Sequence, residues 1–180
     1  GSNRLIICEM IISSIKLKNW KNFKEVDVPL SDRVFVVGPN ASGKSNFLDA
    51  FRFLRDIAKP GGGLQKAVTD RGGISKIRSL AARSSPDVEI EVSFKDDHSD
   101  EEAWRYSIGI KQESRGFRQP YLTHEKVWKR GVLIVDRPDK EDNLDKDRLT
   151  QTYLEQINAN KEFREINRHF EAVVYLHLLP

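Results

Sequence analysis

The chain has 180 residues, enough for one domain with a real core or for part of a larger one. Its 38% hydrophobic and 32% charged content excludes a disordered chain, and no run approaches the ~20 apolar residues of a membrane span. Thirty basic against 27 acidic residues leave a formal charge of +3, too small by itself to argue for nucleic acid. The single cysteine, Cys8, permits no internal disulfide, so a reducing, cytoplasmic location is expected.

Gly1-Ser2 resembles a tag-cleavage scar, and residues 1–9 read as a tag or extension. Met10 to Lys18 alternates loosely and predicts a strand. Asn19-Trp20-Lys21-Asn22 is a turn signal, and Phe23 to Leu30 predicts a second strand in a hairpin with the first. Val34 to Val37 is an apolar run long enough for one buried strand, and Phe47, Leu48, Phe51 and Leu54 place a helix from about Lys44 to Ala58. Pro60-Gly61-Gly62-Gly63 ends it.

Between that strand and that helix, Gly38-Pro39-Asn40-Ala41-Ser42-Gly43-Lys44-Ser45 fits G-x-x-x-x-G-K-[ST] at every fixed position. The chemistry explains the spacing. Gly38 and Gly43 allow the backbone to approach closely, so N–H groups can wrap a triphosphate at the positive end of the helix dipole. Lys44 reaches the β- and γ-phosphates, and the Ser45 hydroxyl is offered to Mg²⁺. The chain is expected to bind a nucleoside triphosphate.

Leu64 to Arg83 is basic and glycine-punctuated, and predicts short helical turns on a surface loop. It reads either as a solvated connection or, through Lys66, Arg71, Lys76, Arg78 and Arg83, as a surface for DNA or a partner. Asp87–Phe94, Trp104–Ile110, Tyr121–Trp128 and Val132–Val135 alternate as strands without intervening helices, which predicts an antiparallel meander beside a parallel core. Arg137 to Lys146 reads as a charged loop. Leu149, Tyr153, Ile157, Phe163, Ile166 and Phe170 carry helical spacing, and Ala172 to Leu179 returns to a strand pattern.

The strand-turn-strand Ile15 to Phe23 and the run Gly38 to Asn46, followed by Leu48-Asp49-Ala50, resemble the opening of ABC-type ATPase heads of the RecF/SMC/OLD-like group. Gln151 to Asn158 and Tyr175 to Pro180 are similar to the narrower prokaryotic "AAA family ATPase" proteins within it. The resemblance implies an α/β P-loop NTPase whose N-terminal lobe has parallel core strands and an antiparallel β meander. It implies ATP and Mg²⁺ as ligands, residues Gly38, Pro39, Asn40, Ala41, Ser42, Gly43, Lys44, Ser45 and Asn46 as the binding loop, Lys44 as the catalytic cation and Ser45 as the metal ligand. It also implies a second head as homodimer partner, with DNA or a nuclease module as a further partner and no membrane. In such heads ATP is sandwiched between one head's phosphate loop and the other's signature motif. No signature-like motif occurs here, so residues 1–180 are expected to be the N-terminal part of one head, without its C-terminal lobe.

An alternative is a complete, kinase-like enzyme. Val132 to Asp136 is an apolar run ending in Asp, as a second Mg²⁺-holding motif would be. Against it, Arg137-Pro138 follows and the neighbouring strands look antiparallel. His124-Glu125 lacks the second His of a metalloprotease helix. His169 and His177 read as structural, and nothing distinguishes Gln112, Gln119 or Gln151 as a Mg²⁺ ligand.

Overall fold

The computed structural model describes residues 10–29, 41–79, 87–96, 99–113, 115–116, 118–156 and 158–177. Alternating sequence becomes six strands: β1 (Met10–Trp20), β2 (Phe23–Pro29), β3 (Val88–Asp96), β4 (Glu102–Lys111), β5 (Tyr121–Lys129) and β6 (Val132–Arg137). Five helices accompany them: α1 (Ala41–Ala58), α2 (Leu64–Asp70), α3 (Ile74–Ile77), α4 (Lys140–Leu144) and α5 (Arg164–His177). Two 3₁₀ turns, Lys146–Thr150 and Lys161–Phe163, precede α5.

The strands form one sheet in the order β2-β1-β3-β4-β5-β6. Every neighbouring pair is antiparallel. The meander is therefore present, and the parallel core is not among the described strands. The run expected to supply it, Val34–Val37, lies outside the described residues. Between β5 and β6, Arg130 (φ 47) and Gly131 (φ 80) make a two-residue turn whose positive φ values match the twist of the strands.

The sheet has unlike faces. Val88, Ile90, Val92 and Phe94 of β3 are buried, with Ile15 and Leu17 of β1 and Tyr106, Ile108 and Ile110 of β4 in the same core. Helices α1 and α5 contribute to that core: Phe53 meets Trp20 at 5.3 Å, and Phe170 meets Phe94 at 5.4 Å and Tyr106 at 5.6 Å. Between the buried residues of β1 and β3, Lys16 pairs with Glu91 at 3.5 Å and Lys18 with Glu89 at 3.7 Å, each directly opposite in register. Exposed pairs contribute about 0–1 kcal/mol each, against roughly 1.5–3 kcal/mol for each fully buried large apolar side chain. Burial of the apolar face decides the fold.

Helix α1 stops where its glycines begin. Gly62 and Gly63 donate backbone N–H groups to Lys59 and Asp56 carbonyls. A Cβ at Gly62 would run into the Asp56 carbonyl, so no other residue fits there without movement. The segment after it is less exposed than a surface loop: Leu64, Ala67, Val68, Ile74 and Ile77 are all buried.

Three expectations need correction. The helix predicted through 149–170 forms only from Arg164. Before it, the carbonyls of Arg148 and Gln151 accept from the Arg137 side chain, and Thr152 and Glu155 bond each other across a tight turn. Local side-chain bonds there replace a helical ladder. The strand predicted over Ala172–Leu179 is instead the continuation of α5 to His177. Once Phe163, Ile166 and Phe170 have docked, adding turns to a formed helix costs less than starting a strand. The loop predicted over Arg137–Lys146 begins inside β6, contains α4 and buries both Arg137 and Asp142.

Candidate nucleotide-binding site

Helix α1 starts at Ala41, inside the glycine-rich motif and three residues earlier than periodicity predicts. Ala41, Ser42, Gly43, Lys44 and Ser45 therefore form its opening backbone turns, while Gly38, Pro39 and Asn40 lie outside the described residues. The first four N–H groups of a helix have no partner within it, and the dipole adds roughly half a positive charge at that end. This is the chemistry a phosphate ester requires. No step of the geometry depends on a cluster of acids, and no group of His, Cys, Asp or Glu able to hold a metal occurs among the described residues.

The helix start is held from outside by the β1–β2 turn. The Trp20 indole, fully buried against Phe53, donates Nε1–H to the Asn46 carbonyl at 2.8 Å. The Asn46 amide donates to the Asn22 side-chain oxygen at 2.9 Å. One turn on, Asp49 meets Lys21 at 3.6 Å and Arg71 at 3.2 Å. Arg71 also reaches Asp56 at 2.9 Å and stacks over the Phe53 ring at 5.2 Å. Burial acts to raise the Asp56 carboxyl, but hydrogen bonds from Arg71 and Arg55 outweigh it and hold it below the usual carboxylate range. The turn Asn19 to Asn22 and the residue Arg71 together fix the position of α1 beneath the motif.

Asp136 is not part of this arrangement. It lies on β6, the sheet edge opposite β2, with its side chain more than half exposed and ion-paired to Lys126 at 3.8 Å. His169 sits edge-on to Phe94 at 5.1 Å, a packing role. The Gln112 amide donates to the Arg118 carbonyl in the β4–β5 loop.

Sequence reading missed one group of residues altogether. The Arg137 guanidinium, 1% exposed, donates to Asp142 at 3.0 Å twice, to Glu125 at 2.8 Å and to the Gln151 and Arg148 carbonyls at 2.9 Å. All its N–H donors are used. Glu125 also accepts from the Tyr106 hydroxyl at 2.6 Å and from the Tyr153 N–H. The network fastens residues 138–155 to β5. A signal existed: Glu125 alternates with Val127 on the inward side of β5, and an inward carboxylate demands a buried partner.

A helix opening inside a phosphate-binding motif, clamped by a strand-turn-strand, defines a P-loop ATPase domain of the RecF/SMC/OLD-like kind. Residues 33–177 match the AAA_21 family, described as "AAA domain, putative AbiEii toxin, Type IV TA system". The chain belongs to that family. Among curated relatives it is 45% identical over 47 residues to "Endonuclease GajA" of Bacillus cereus (strain VD045), covering 26% of this chain and 8% of that protein. It is 48% identical over 46 residues to "DNA replication and repair protein RecF" of Chlamydia caviae, covering 25% of this chain and 12% of that protein. To the RecF of Brucella abortus (strain 2308) it is 40% identical over 60 residues, covering 33% and 15%. The chain thus spans a small part of the length of the relatives it matches. Among the described residues, no helix is long and apolar enough to cross a membrane.

Proposed function

We propose that the chain binds Mg²⁺-ATP through Gly38 to Asn46, and that in the intact protein a second, identical head completes the site for hydrolysis. Lys44 contacts the β- and γ-phosphates and stabilises charge developing on the transferred group, while the N–H groups of residues 40 to 45 cradle the phosphates. Ser45 holds the Mg²⁺, which supplies charge neutralisation between the phosphates. The observation that carries this reading is the start of α1 at Ala41, which puts Lys44 and Ser45 in the opening turns of the helix.

The relatives, a DNA replication and repair protein and an endonuclease, support a DNA-related or defence-related output for the ATP-driven change. On this reading residues 1–180 are the N-terminal part of one head, acting in the cytoplasm with DNA or a nuclease module as partner. The part alone binds ATP and turns it over little. Titration with a fluorescent ATP analogue in the presence of Mg²⁺ tests it: binding is expected, and Lys44→Ala abolishes it. Equal affinity in that variant overturns the site assignment. A steady turnover that survives dilution and disappears in Asp136→Asn overturns the two-head reading in favour of a complete kinase-like enzyme.

A further inference from the structure

The two edges of the sheet are built differently. β2 guards its edge: Lys24, Glu25, Asp27 and Pro29 are exposed along it, and charges or a proline on an edge strand discourage further pairing. β6, the other edge, carries four consecutive apolar residues, Val132-Leu133-Ile134-Val135, with no proline and no charge among them. Among the described elements β5 is the one packed along it. On its outer side, among the described residues, no strand pairs with β6 and no hydrogen bond from another segment reaches its backbone. Val132 is 63% exposed and Leu133 42%, two of the three exposed large hydrophobics among the described residues.

We infer that β6 pairs with β6 of a second copy of this chain, antiparallel across a two-fold axis. The strand is self-complementary in charge. It follows the basic pair Lys129-Arg130 and approaches its end at Asp136, so antiparallel self-pairing sets the acidic end of each copy against the basic turn of the other, twice per dimer. Parallel pairing would bring like charges together and lose both contacts. Arg130 and Asp136 have partners in their own chain, Asp96 and Lys126, yet both side chains stay more than half exposed, with room for a second opposite charge. Between these ends the apolar run meets its own copy, which takes Val132 and Leu133 out of water while main-chain hydrogen bonds extend the sheet. Because β2 is guarded, pairing closes at two copies and does not propagate. β6 lies at the opposite edge of the sheet from β2, whose turn with β1 braces α1, so this contact is separate from the two-head contact proposed for hydrolysis and does not depend on it.

The test is analytical ultracentrifugation of the whole chain without nucleotide, up to high micromolar concentration. A reversible monomer–dimer equilibrium is expected, with Lys44→Ala dimerising as the wild type does. Val132→Lys/Leu133→Lys weakens the dimer at least about tenfold with circular dichroism unchanged. Asp136→Lys and Arg130→Asp each weaken self-association, and an equimolar mixture of the two restores it, since every facing pair in the mixed dimer is again opposite in sign. Amide hydrogen exchange across Leu133 to Val135 slows as the dimer fills. A chain that stays monomeric, leaving the edge to a strand of some other protein, overturns the inference. So does open-ended aggregation, a double-lysine variant that dimerises like the wild type, or a charge-swapped mixture that stays monomeric. A dimer that forms only with Mg²⁺-ATP and is lost in Lys44→Ala also overturns it, and is the two-head contact instead.

Discussion

Arg71 holds Asp49 through two hydrogen bonds, Nη2 to Oδ1 at 3.2 Å and Nε to Oδ2 at 3.3 Å, across 22 residues of chain. Its remaining terminal nitrogen reaches Asp56 at 2.9 Å and the Ala67 carbonyl at 3.2 Å. Asp49 and Asp56 lie two turns apart on one side of α1, so a single guanidinium spans the middle of the helix that opens at the phosphate motif. The fork geometry is what an arginine provides and a lysine does not.

Removing Arg71 leaves two mostly buried carboxylates without their main partner. Arg71→Ala is expected to lower stability by about 2–4 kcal/mol in urea unfolding, and Arg71→Lys to recover less than half of that. A double-mutant cycle with Asp49→Asn should show coupling of about 1 kcal/mol or more. Additive effects would mean that Arg71 acts through packing on Phe53 alone.

The Arg137 network predicts the acid limb of the stability curve. Burial acts to raise the Asp142 carboxyl, but hydrogen bonds from Arg137, the Asp139 N–H and Arg148 bring it down from 3.8 to about 2. A depressed folded pKa means that the unfolded chain binds more protons in that window, so stability rises with pH across it. The contribution, about 2 kcal/mol, is fully present above pH ~5 and is lost as pH falls through the folded value. Asp142→Asn should flatten the decline between pH 5 and 2 and cost stability at neutral pH. Arg137→Met should cost about 3–5 kcal/mol at pH 7, because it leaves Glu125 buried without its cation and Asp142 with Arg148 as its remaining cation.

How far the sequence could be read depended on how local the cause was. β3 was legible because Val88, Ile90, Val92 and Phe94 alternate without interruption and all four are buried. The opening of α1 was legible as a motif, but its first residue was not, since Ala41 and Ser42 carry no apolar signal. Arg137 looked like a loop charge because its acceptors come from β5, from Asp142 and from residues 148–151, and Asp142 because its donors are Arg137, Arg148 and the Asp139 N–H. Ala172 to Leu179 carries a strand pattern, and tertiary packing of the preceding turns of α5 overrode it as far as His177. At the candidate site, the motif was readable and its bracing was not: nothing in Asn22 alone points to Asn46.

The turn glycines predict a local defect. A methyl at Gly62 meets the Asp56 carbonyl, which already accepts the Gly63 N–H at 3.2 Å, so Gly62→Ala must displace the end of α1. The expected cost is about 2–3 kcal/mol in thermal or urea unfolding. Gly61, with φ 74 and open space around it, should tolerate Asn with a change of about 1 kcal/mol or less. Equal effects at the two positions would show that chain flexibility, and not the clash, is what the glycines provide.

Asn22 offers the sharpest test of whether the hairpin turn serves the nucleotide site. Its side-chain oxygen accepts from Asn46, whose carbonyl in turn accepts from Trp20, and Asn46 directly follows Ser45 at the motif's end. The bond is exposed, so Asn22→Ala should change the unfolding midpoint little, by less than about 1 kcal/mol. If the bond fixes the orientation of the opening turns of α1, the same variant weakens Mg²⁺-ATP binding by about three- to tenfold, because the cost of ordering those turns then falls on binding. Asn46→Ala should show the same loss, and the double variant no more than either alone. A drop in stability with unchanged nucleotide affinity would make the turn a brace for the sheet only. A loss of affinity at constant stability places Asn22 among the residues that shape the phosphate loop without touching the nucleotide.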